Sequence, residues 1–127
     1  MHEKKEHDAL KIEIERENFV RAVLVAEQMG LPEEEIRSIR CKALGQMSAI
    51  YRNIHGTKYI ARQYGYTMGD VKQILEQFAD ELKTEGNMKP LEPCYDYSAG
   101  KYFSFEEWMD HYLKAWDKIP VKDDYRP

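Results

Sequence analysis

Cysteine is scarce in this chain: two residues, Cys41 and Cys94, stand far apart and in no C-x-x-C pair. That excludes a thiolate metal centre or a redox dithiol as the organising feature, and both read as free thiols with at least one buried. A disulfide between them would need an oxidising compartment, which nothing else in the sequence suggests. Long apolar runs are missing too. The longest near-continuous one, Ala22 to Ala26, is far too short to span a bilayer core of about 30 Å. The charged start, Met1-His2-Glu3-Lys4-Lys5-Glu6-His7-Asp8, is followed by no apolar leader core and no small-residue cleavage site. A cytoplasmic location with no membrane partner is the expectation.

Signatures of chemistry are also absent. There is no G-x-S-x-G, no P-loop and no G-x-G-x-x-G, so no nucleophile elbow or phosphate cradle is spelled out. Tyr95 to Lys101 contains a glycine and a lysine but otherwise reads as a turn. Of the four histidines, His2, His7 and His55 are scattered. Glu107, Asp110 and His111 could share one helical face, but without the E-x-x-H spacing of carboxylate-bridged metal bundles. The expectation is no catalytic residue, no metal and no cofactor.

What is present is a globular mixture, 43% apolar and 33% charged over 127 residues, with no repeat or Gly/Ser linker to divide it. The periodicity predicts an all-α fold, about five helices in one compact domain. Residues 8–29 carry Leu10, Ile14, Phe19, Val20, Val23, Leu24 and Ala26 at roughly helical spacing before Gly30, and so predict one long amphipathic helix. Pro32 and the acids Glu33, Glu34 and Glu35 suit the positive end of a second helix over 32–55, its apolar stripe running from Ile36 to Ile54. Gly45 within it would permit close helix packing. A stretch with Pro90, Pro93 and Gly100 predicts a long irregular loop over 86–103, with turns and at most one short extended piece. Ser104 and Glu107 then spell a capping box for a last helix over 104–118, followed by a polar tail ending at Pro127.

The segment Thr57 to Glu76 has its own internal logic. Small Ala61 stands where two helices must approach, Ile60 and Tyr64 flank it, and Gly65 supplies the positive φ of a tight turn. Tyr66 follows as an apolar plug. Thr67 offers an N-cap with Asp70 as its partner, and Val71 and Ile74 bury one face of the next helix. This pattern resembles the twenty-residue unit of helix-turn-helix DNA-binding proteins, within a region 57–85. The resemblance implies that the second helix enters a major groove with its first turns, presenting Met68, Lys72 and Gln73, with Thr67 at its cap. Arg52, Lys58 and Arg62 would hold the phosphates. Gly69 offers no contact, Asp70 repels phosphate unless occupied by capping, and Glu76, Asp80, Glu81 and Glu85 make the far half of this helix acidic.

Charge agrees in part with such a role. The net charge is −4, yet from Arg37 to Lys72 seven basic residues face a single acid, Asp70. Such a stretch would either form a footprint for duplex DNA or pair with acidic helices of the same fold. The functional expectation is a small transcriptional regulator acting on duplex DNA as a homodimer. The competing expectation is a helical protein-interaction module. Phe105, Trp108, Tyr112 and Trp116 form an aromatic stripe on the last helix, which reads first as core and alternatively as a partner surface.

Overall fold

The computed structural model describes residues 2–121, the side chains of 2, 3, 4 and 6 excepted; the expected polar tail at 123–127 lies outside the described residues. Among them the chain forms six α-helices and one two-stranded sheet. The order is α1 (His2–Glu15), α2 (Phe19–Met29), α3 (Glu33–Gly45), α4 (Ile54–Tyr64), α5 (Met68–Glu85), β1 (Cys94–Asp96), β2 (Lys101–Phe103) and α6 (Phe105–Lys114). The fold is thus mostly helical, and among the described residues no helix is long and apolar enough to cross a membrane.

The single helix expected over 8–29 is two helices. A helix continuing the face of half-buried Leu10 and Glu13 would turn Glu17 and Arg21 inward. A turn at Arg16–Glu17 resets the phase, so that Ala22, Val23 and Ala26 of α2 are buried instead. The reset places Glu17 in the left-handed region at φ 58°, and Gln46 donates to its carbonyl at 2.7 Å. α2 ends at Gly30, whose φ of 68° lets the next amides return to Ala26 and Glu27.

The second expected helix, 32–55, is also shorter. α3 runs into a π-helical turn, Gln46–Ile50, and the chain leaves it at Arg52 in the left-handed region. Asn53 then caps α4 by accepting the Gly56 N–H, so the following helix begins at Ile54 rather than at 57. Gly45 supports the packing of α3 on α5: a Cβ there would overlap the Phe78 ring.

The core gathers Leu44, Ile60, Val71, Leu75, Phe105 and Trp108 among its best-buried side chains. The expected loop over 86–103 is only partly irregular. β1 and β2 pair antiparallel with Tyr95 opposite Tyr102, which turns Phe103 inward and leaves Tyr95, Tyr97 and Tyr102 outside. Asp96 accepts the Tyr112 hydroxyl at 2.6 Å and so ties the hairpin to α6. Burial, with that bond, pushes the Tyr112 phenol up to about 12.

Candidate functional site

The sequence from Ile54 to Glu85 builds a helix, a three-residue turn and a second helix. Gly65 takes φ 77°, a conformation in which a Cβ would be strained. Its neighbour Tyr66 returns its N–H to the Ala61 carbonyl at 2.9 Å. Ile60 and Ala61 on one side and Val71, Ile74 and Leu75 on the other are buried, so the turn is clamped from both helices. The start of α5 is capped reciprocally. Thr67 accepts the Asp70 N–H at 3.2 Å, and Asp70 accepts the Thr67 N–H at 2.9 Å. The hydrogen bond from the Thr67 backbone N–H, and after it the Thr67 side chain, hold the Asp70 carboxyl below its usual range. The carboxylate that would have repelled a phosphate is therefore occupied in capping.

Of the residues expected to meet DNA, Thr67, Met68, Lys72, Gln73 and Arg62 are exposed around this turn. Neither Arg62 nor Lys72 has a hydrogen bond or ion pair among the described residues. Arg37, on α3, joins them at the turn. Its guanidinium lies 5.3 Å from the Tyr66 ring centre and donates to the Tyr66 hydroxyl at 3.4 Å. Sequence reasoning placed Arg37 in the basic stretch but not at the site, because its neighbour Tyr66 lies twenty-nine residues on.

Arg52 and Lys58 belong elsewhere, and here the expectation is corrected. Arg52 donates to the carbonyls of Ala49, Pro90, Glu92 and Phe103, between 2.9 and 3.1 Å. Its guanidinium also lies over the Phe105 ring. Burial pushes its pKa down. Lys58 donates to the carbonyls of Trp116 at 2.7 Å and Ile119 at 2.8 Å, its ammonium over the Trp116 ring. Both cations pin the C-terminal third of the chain onto the start of α4, with donors turned inward. Arg40 is likewise engaged, with Glu33 at 2.7 Å and Glu27 at 3.4 Å. The basic stretch therefore does not converge on one surface.

Met68 and Lys72 face a groove of about 380 Å³ between α5 and α6. Gln73, one residue on, lies along a different groove, beside Arg37 on α3. The α5–α6 groove carries Glu76, Asp80, Glu106 and Asp110 on its rim. Lys83 pairs with Glu106 at 3.0 Å and Lys114 with Asp110 at 3.1 Å, whereas Glu76 and Asp80 have no ion pair among the described residues.

The aromatic stripe of α6 is core. Phe105, Trp108 and Trp116 are buried, Trp108 to 1% exposure, and Tyr112 is half-buried. Glu107, Asp110 and His111 do not gather. Glu107 caps α6 through Ser104, Asp110 pairs with Lys114, and His111 packs against Phe103 and Tyr112. Among the described residues no group of three His, Cys, Asp or Glu could hold a metal ion.

Compared with protein-family models, with curated proteins and with solved structures, the chain finds no match.

Proposed function

We propose that the protein is a small helix-turn-helix DNA-binding regulator that meets duplex DNA with the turn at Gly65 and the first two turns of α5. The observation that carries this reading is the division of α5. Val71, Ile74 and Leu75 fix the helix in the core while Met68, Gly69, Lys72 and Gln73 stand outside it. A helix so anchored has the reach a major groove demands. Arg62 and Arg37, exposed on either side of the turn, take the phosphate-holding part expected of Arg52 and Lys58. Contact is short, because Glu76 and Asp80 repel phosphate beyond the second turn. A second copy of the chain would supply a second such helix about 34 Å away along the duplex. Ile12, Ile14 and Leu24, exposed on α1 and α2, support such self-association.

Fluorescence anisotropy of labelled random-sequence duplex at low salt tests the reading. Micromolar protein is expected to raise the anisotropy, with affinity falling steeply as salt is added. Arg62→Glu with Lys72→Glu is expected to abolish the signal while leaving the helical circular dichroism intact. Unchanged anisotropy with the native protein would sink the DNA reading. Binding that survives the double variant would move it to another surface.

A further inference from the structure

We infer that the groove between α5 and α6 docks a cationic amphipathic helix from a partner protein, a function distinct from contact with DNA. Two features of the groove need explaining. Glu76 and Asp80 are four residues apart on α5, and Glu106 and Asp110 are four residues apart on α6. Like charges at that spacing destabilise a helix by a few tenths of a kcal/mol. Both helices carry such a pair, and both pairs face the same groove. Glu76 and Asp80 make no ion pair among the described residues. The pairs on α6 are engaged only by exposed lysines, Lys83 and Lys114, whose contacts are weak and exchangeable with a competing cation.

Beside the acids the lining holds Lys72 and Lys114 and an apolar floor of Met68, Ala79, Met109 and Leu113, the last three buried apart from the edges they show to the groove. Met68 is 39% exposed at one end, and Met109 and Leu113 line the α6 side. Methionine adapts its shape to an incoming side chain, as groove-type helix receptors exploit. A volume of about 380 Å³ admits anchoring side chains rather than the body of a globular partner. Apolar anchors at helical spacing, flanked by lysine or arginine on both sides, match this floor and these rims. Duplex DNA matches them less well, since its phosphates would face Glu76 and Asp80, which no lysine pairs with among the described residues.

The test uses the full chain and a synthetic helix of leucines and lysines in amphipathic register, with a scrambled peptide of identical composition. Binding is read by calorimetry, and circular dichroism verifies that each protein variant is folded. The amphipathic peptide is expected to bind and the scrambled one to bind much more weakly. Glu76→Lys with Asp80→Lys is expected to weaken binding by about tenfold or more. Glu34→Lys with Glu35→Lys, an equal charge change on exposed residues of α3, is expected to leave it unaltered. Equal binding of the scrambled peptide, or equal weakening by the α3 variant, would show general attraction to an acidic protein and overturn the inference. So would a change in the sedimentation of the protein alone on reversing Glu76 and Asp80, because the occupant would then be a second copy of this chain. Failure here leaves the DNA reading standing, since that reading is measured with duplex and with Arg62.

Discussion

Asp70 illustrates how a residue that would repel phosphate can still be required at the start of α5. Its carboxylate accepts the Thr67 N–H, and Thr67 in turn accepts the Asp70 N–H. Replacing Thr67 by alanine is expected to cost about 1 kcal/mol, read as a lower denaturation midpoint. The carboxyl of Asp70 is held below its ordinary value near 3.8, first by the Thr67 backbone N–H. A depressed folded-state pKa stabilises above the unfolded value and ceases to as the pH falls through the folded one. The thermal midpoint of the native protein should therefore fall as the pH drops below the ordinary carboxylate range. Asp70→Asn should lower the midpoint at neutral pH and flatten part of that slope. An unchanged slope would mean that the cap contributes nothing in solution. Glu107 repeats the arrangement with Ser104 on α6, so the two variants together should flatten the slope further.

At the scale of elements, Arg52 joins the hairpin to the helices at the end opposite the Asp96–Tyr112 bond. Arg52 reaches Pro90 and Glu92 before β1 and Phe103 at the end of β2, from a left-handed backbone position next to the π-helical turn. Arg52→Ala removes four hydrogen bonds made by a charged group and leaves their carbonyls unsatisfied. On the order of 2–4 kcal/mol of stability should be lost, and limited proteolysis should begin within 86–103. Cleavage first in α1 would contradict this. Such elements divide sharply in how far the amino-acid order reveals them. Gly65, Thr67 with Asp70, and Ser104 with Glu107 were legible because their partners lie within four residues, where side-chain type dictates geometry. The break after α1 was not, since Glu17 carries no signature of a left-handed turn and the phase of α2 is set by the core it meets. Arg52 and Lys58 were misread as phosphate holders because backbone carbonyls leave no trace in composition. Theirs lie up to fifty-one and sixty-one residues away. The acidic groove was half visible, as the charges of α5; its α6 wall appears only once the helices are side by side.

For the whole molecule, the two proposed surfaces meet at Met68 and Lys72, which stand on the exposed start of α5 and also line the α5–α6 groove. A helix seated in the groove would obstruct that edge of a DNA contact. The amphipathic peptide is therefore expected to release labelled duplex from the native protein, and to release little from the Glu76→Lys, Asp80→Lys variant. A stable ternary complex, seen as raised anisotropy at saturating peptide, would show the two faces to be independent. The anchoring of α4 has another consequence, in time rather than in space. The Lys58 ammonium finds its carbonyls at Trp116 and Ile119, the latter sixty-one residues further along. At a synthesis rate of roughly 5–20 residues per second, that interval lasts on the order of 3–12 seconds. During it α4, its turn and a growing α5 can pack only on the helices that precede them, such as α3 through Gly45 and Phe78, while the Lys58 ammonium still lacks both carbonyls.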